Sequence, residues 1–137
     1  MKPEFSRVFI KDDLGDILVL KDRKRKGIWN IPGGKQEINE TPVDCAIREL
    51  KEELALEISE LEEIYHADLV FDDVVWSAHF YFAGVVKGRP TLNEPHKIEG
   101  VQFISDLEQV SFSKDLQPLF DYLKASDILQ DKVTEWR

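Results

Sequence analysis

The stretch GGKQEINETPVDCAIRELKEELAL, Gly33 to Leu56, decides how this chain is read. It packs a glycine pair and five glutamates into 24 residues. Thr41, Pro42 and Asp44 form a helix start: a capping hydroxyl, a proline at the first helical position, and an acid three residues after the cap. No proline or glycine interrupts Val43 to Leu54, so a helix is expected there.

The spacing of the acids on that helix carries the chemistry. With Glu49 as zero and about 100° per residue, Glu52 falls at about 300° and Glu53 at about 40°. Three carboxylates thus share a wedge of about 100°. Val43, Ile47, Leu50 and Leu54 fall at about 100° to 160°, a neighbouring apolar stripe expected to face a core. Arg48 flanks the acids and can pair with one of them. Like charges this close repel, and a divalent cation is the usual remedy, so a magnesium site is the first expectation. The competing reading is a solvated helix face. Against it stand the crowding of acids without lysines at i+4 and the preceding Pro32-Gly33-Gly34 turn, where bare backbone can approach a ligand.

Composition narrows the classes. The chain has 137 residues, 42% hydrophobic and 33% charged, which fits one soluble globular domain. A net charge of −9 argues against a surface that binds double-stranded nucleic acid through its phosphates. It leaves a nucleotide substrate open, because a bound cation reverses the local sign of an acidic site. The lone Cys45 excludes an internal disulfide and suits a reducing cytosol. There is no apolar run long enough to span a bilayer and no signal-peptide core, so a cytoplasmic protein without membrane attachment is expected. Composition leaves monomer or homodimer open.

Along the chain, Phe5–Ile10 and Asp16–Leu20 read as short strands around a turn. Asp22 to Gly27 is a basic loop. Ile58–Val70 and Trp76–Val86 read as longer strands around Phe71-Asp72-Asp73, Lys97–Ile104 as a last strand, and Lys114–Lys124 as an amphipathic helix. This order implies an α/β fold, a mixed sheet between helices. Residues 1–125 are assigned to a single domain, and 126–137 to a tail of unassigned order. His66 and His79 lie in strand-like runs and read as structural. Cys45 reads as a packing residue, with nothing nearby to lower its pKa.

Glycine, five residues, glutamate, seven residues, Arg-Glu, an aliphatic, any residue, Glu-Glu, any residue, glycine, an aliphatic: this pattern resembles the Nudix hydrolase signature. Gly34, Glu40, Arg48, Glu49, Leu50, Glu52, Glu53 and Leu56 match it. The late glycine is Ala55, which implies a helix end without a left-handed glycine cap. Asn39 stands at a position often held by glycine and tolerates a left-handed conformation. The resemblance implies a Nudix-type α/β/α sandwich that hydrolyses a phosphoanhydride with Mg2+ or Mn2+. It makes Glu52 and Glu53 the chief metal ligands, with the Gly33 carbonyl as a third. Glu49 either completes the coordination or takes the proton from water. Arg48 belongs to the catalytic set, orienting a glutamate. A further ligand is expected from Glu94, with Glu99 second and a solvated loop acid as the alternative. Arg23 and Lys35 stand where the family meets substrate phosphates, although Arg23 lies among four other basic residues. Trp29 is a candidate for base stacking, with core packing as the stronger alternative.

The short chain and the segment Asn93 to Gly100 resemble the MutT-like branch, which converts (deoxy)nucleoside triphosphates, oxidised ones included, to monophosphate and pyrophosphate. The alternatives are a nucleoside-diphosphate-sugar or capped-RNA hydrolase, or a non-catalytic Nudix-like ligand sensor. The last is disfavoured because every box glutamate is kept.

Overall fold

Strands β1 (Glu4–Phe9) and β2 (Ile17–Asp22) of the computed structural model, which describes residues 2–137, are apolar on both sides. Phe5, Phe9, Ile17 and Val19 enter one core, and Val8, Ile10, Leu18 and Leu20 enter another. Successive side chains of a strand point to opposite faces, so apolar residues at successive positions, Val8-Phe9 in β1 and Ile17 to Leu20 in β2, mark strands covered on both.

The remaining elements follow as β3 (Trp29–Asn30), β4 (Gly33–Lys35), α1 (Pro42–Leu54), β5 (Glu57–Phe71), β6 (Val74–Lys87), β7 (Ile98–Ile104), α2 (Gln117–Ser126) and β8 (Glu135–Trp136). One mixed sheet runs β4-β1-β6-β5, with β8 also on β6, and a second runs β3-β2-β7. Among the named strands, the β1–β6 and β6–β8 pairings are parallel and the others antiparallel. Helix α1 covers the core that holds Leu50, Leu54 and Ile58, and α2 covers the one that holds Phe80, Leu119 and Leu123. This is the expected α/β sandwich. Asp72 and Asp73 both adopt positive φ (50° and 64°), which suits the tight turn joining β5 to β6.

The buried face of α1 differs from the expected stripe. Leu50 and Leu54 are fully buried, but Val43 and Ile47 are 39% and 37% exposed, while Cys45 and Ala46 are buried. The helix is turned towards its small residues, which allow close approach to β4, and this draws Glu49 and Glu53 to the edge of the buried face. Burying a leucine contributes about 1.5–3 kcal/mol, so the pair Leu50 and Leu54 anchors α1. The end of the helix is also a correction. Ala55 does form a left-handed cap (φ 58°, ψ 33°), its N–H reaching the Leu50 and Lys51 carbonyls, at a strain that glycine would avoid.

The tail is tied down. Thr134 donates to the Ala83 carbonyl (3.0 Å) and accepts from the Lys11 N–H (3.0 Å), and Trp136 Nε1 donates to the Lys11 carbonyl (2.7 Å). The buried Lys11 ammonium is held by the carbonyls of Leu129 and Lys132. No helix among the described residues is long and apolar enough to cross a membrane.

Candidate active site

Two glycines make room for the acids. Gly33 has φ 147°, and a Cβ there would lie 2.0 Å from the Ser6 carbonyl oxygen. A Cβ on Gly34 would lie 2.4 Å from the Glu49 carboxyl carbon. The glycine pair thus lets β4 pair with β1 and lets Glu49 lie flat on the strand. Asn39 takes its expected positive φ of 65° in the loop that follows.

Arg48 fixes the acids. Its Nε and Nη2 form a two-pronged contact with Glu40 (2.7 and 3.0 Å), and Nη2 also donates to the Lys35 carbonyl (2.9 Å). Nη1 is left for Glu49 Oε1 (3.0 Å) and Glu52 Oε2 (3.1 Å). A fork bound on both prongs has little freedom, so Arg48 and the carboxylates of Glu40, Glu49 and Glu52 are held in one arrangement. The contact holds the Glu40 carboxyl below its ordinary pKa and the Arg48 guanidinium above its own. Glu40, unassigned in the sequence beyond its place in the signature, is the anchor of the clamp.

Glu53 takes the other edge. Its Oε1 accepts the Gly33 N–H at 2.9 Å. Burial pushes its pKa up to about 8, opposed by Arg7 and the Gly33 N–H and reinforced by Glu49 and Glu94. Burial likewise raises Glu49. Cys45 donates to the Gly34 carbonyl (3.3 Å), and burial raises its thiol to about 11, which agrees with a packing role.

The loop after β6 brings Glu94 in. Thr91 N and Asn93 N donate to the carbonyls of Leu54 (2.9 Å) and Glu53 (3.0 Å), and Asn93 Nδ2 donates to that of Glu52 (3.0 Å). These bonds cap the end of α1 and set Glu94 where its charge is felt by Glu53. Glu99 points elsewhere, pairing with Lys21 at 3.2 Å.

A cavity of about 220 Å³ opens beside Glu53 and Gly33, with Asn30, Lys21, Lys24 and Lys97 in its wall. A larger cleft of about 740 Å³ lies against α2, with Phe112 and Phe120 in its wall and none of the α1 carboxylates. Glu53 is the α1 carboxylate in the wall of the smaller cavity. Of the candidate substrate residues, Arg23 donates to the Pro95 carbonyl (2.7 Å), Lys35 Nζ stands 5.3 Å above the Trp76 ring, and Trp29 packs against the core. None of the three is in the cavity wall. Strand register turns Lys35 to the side of Phe5, and the short β3 is held to β2 through Lys21 opposite Trp29.

Arg7 was not legible as a site residue. Its Nη1 donates to the carbonyls of Ile31 (2.9 Å) and Gly33 (3.2 Å), and its charge acts on Glu53 and Glu49. An arginine between apolar residues in a strand is a signal that was available, since such a charge needs a partner.

Every donor gathered here is a hard oxygen, which suits Mg2+ or Mn2+ rather than a softer metal. Glu49, Glu52 and Glu53 each have one oxygen bound to a protein N–H and the other without such a bond.

The NUDIX domain family matches over residues 3–124. An 8-oxo-dGTP diphosphatase of Buchnera aphidicola subsp. Acyrthosiphon pisum is 24% identical over 117 residues, covering 82% of this chain and 90% of the relative. An oxidized purine nucleoside triphosphate hydrolase of Mus musculus is 34% identical over 106 residues, 73% of this chain and 65% of the relative. Among solved structures, a MutT NUDIX hydrolase from Burkholderia pseudomallei is similar with TM-score 0.75 and 25% identity, covering 98% of this chain and 99% of its own.

Proposed function

The chain belongs to the Nudix family of hydrolases, and on that premise we propose that it cleaves (deoxy)nucleoside triphosphates, oxidised purine nucleotides among them, to monophosphate and pyrophosphate. The observation that carries this reading is the half-satisfied state of Glu49, Glu52 and Glu53, with Glu53 in the wall of a lysine-rimmed cavity. Carboxylates aligned by N–H donors on one side and free on the other suit a metal and phosphate site. The names of the two relatives support the oxidised-purine substrate.

Glu52 and Glu53 would hold the cation, with Glu49, Glu94 and the Gly33 carbonyl completing the set. That carbonyl has a second lone pair beyond the one taken by Arg7. A bound Mg2+ or Mn2+ supplies neutralisation of phosphate oxygens and a more acidic water. The chain's own groups do the rest. Arg48 keeps Glu49 and Glu52 in place. Glu49, raised by burial, accepts the water proton where it is not coordinating. Lys21, Lys24 and Lys97 meet the phosphate chain and steady charge on the leaving pyrophosphate, a role the sequence had assigned to Arg23 and Lys35. Asn30, in the same wall, offers an amide to the base.

A panel of dGTP, 8-oxo-dGTP, nucleoside-diphosphate sugars and capped RNA with Mg2+ tests the proposal. Pyrophosphate release is expected, with highest kcat/KM for the oxidised triphosphate. Faster cleavage of a sugar nucleotide or cap would reassign the substrate, and binding without turnover of any would make the domain a sensor.

A further inference from the structure

Outside the α1 site, one cluster among the described residues gathers ligands of a different kind. His66 on β5 and His79 on β6 are opposite each other in the antiparallel ladder. Their rings stack at 4.2 Å, 17° apart. Glu63 is three residues before His66, and in a regular strand the two would point to opposite faces. A register shift between Glu63 and Tyr65 changes this. The extra residue returns the Glu63 carboxylate to the histidine side, so that Oε1 lies 3.1 Å from His79 Nδ1 and 4.0 Å from His66 Nδ1. Bulges re-aim side chains in this way.

His79 is buried, 7% exposed, and its other nitrogen is also engaged: Nε2 lies 2.9 Å from Glu4 Oε1 on β1. A neutral imidazole has one N–H, so contacts to two carboxylates call for a second positive centre on the ring, either a proton or a metal ion. An ion on Nδ1 would leave Nε2–H to Glu4, the outer-shell arrangement that fixes a ligating histidine.

We propose that Glu63, His66 and His79 form a second cation site, selective for a borderline transition metal such as Zn2+ and distinct from the all-oxygen site on α1. Two imidazoles and one carboxylate are a zinc-type donor set with a position left open. The ligand atoms lie within 4.8 Å of one another, and tetrahedral coordination needs them about 3.3 Å apart. An ion must also lie near the plane of both rings, so His66 has to turn out of the stack and release Ser77 Oγ (3.0 Å). It is free to do so, with its side chain 49% exposed. The bound ion braces β5, β6 and, through Glu4, β1.

The test uses the full chain without a histidine tag, stripped of metal and held in excess Mg2+ so that the α1 site is occupied. ZnCl2 is titrated by calorimetry, with melting temperature and imidazole NMR followed in parallel. The expected result is one Zn2+ per chain, a rise in Tm, and shifts at His66 and His79 but not His96. His66→Ala and Glu63→Gln should weaken uptake about tenfold or more while leaving metal-free Tm and Mg2+-dependent turnover unchanged. Absence of uptake, or uptake and Tm rise equal to wild type in both variants, overturns the site.

Discussion

Replacing Glu53 by Gln separates chemistry from stability. Gln keeps the acceptor for the Gly33 N–H and removes a charge that burial holds at a pKa of about 8 against an ordinary 4.5. The folded state therefore binds a proton more readily than the unfolded chain does. The stability this gives is fully present below the unfolded value and is lost as pH rises through the folded one. At 1.36 kcal/mol per pH unit the loss reaches about 5 kcal/mol as a ceiling, and about half of that once water enters the rim. Without divalent metal, Glu53→Gln should thus melt roughly 10 °C above wild type at pH 8.5, and within a few degrees of it at pH 5. Mg2+ should raise the wild-type Tm and narrow the gap. Activity should fall on the order of 10²-fold, several kcal/mol of lost transition-state stabilisation. Thermal melts across pH in EDTA, with kcat measured on the same preparations, decide it. A variant less stable than wild type at pH 8.5 in EDTA would refute the reasoning, for Glu53 would then be a structural residue.

Other outcomes follow from the same geometry. Gly34→Ala puts a methyl group where the Glu49 carboxylate lies, and should cut kcat on the order of 10²-fold with little change in far-UV circular dichroism, because a flexible side chain yields first. Ala55→Gly relieves a left-handed alanine and should stabilise the fold by about 1 kcal/mol in urea unfolding, with kcat unchanged. The apparent Kd for Mg2+ should weaken about tenfold per pH unit as pH falls below the Glu53 pKa, since the cation displaces that proton; calorimetry from pH 6 to about pH 9 measures it, and a flat profile would remove Glu53 from the ligands.

The helix start, the acid wedge and the strands β1, β2, β5, β6 and β7 were legible because each rests on local chemistry, whereas Gly33–Lys35, which reads as a turn, is strand β4, and β8 lies in the tail of unassigned order. Local chemistry fails where a contact partner is distant in sequence. The exposure of Val43 and Ile47 depends on how closely Cys45 and Ala46 approach β4. Arg7 acquires its role only when β4 lies beside β1 and presents the Gly33 carbonyl. Position alone points to Arg23 and Lys35, and the contacts their side chains make, with the Pro95 carbonyl and the Trp76 ring, come from far along the chain. The bulge that brings Glu63 beside His66 and His79 has no glycine or proline to announce it, so those histidines read as structural alone.

Turnover of 8-oxo-dGTP followed by 31P NMR, with Mg2+ and again in excess EDTA, reads the cleavage site and the metal requirement together. Monophosphate and pyrophosphate in equal amounts are expected with the metal, and no reaction without it. Orthophosphate with a diphosphate product, or turnover undiminished by EDTA, would contradict it.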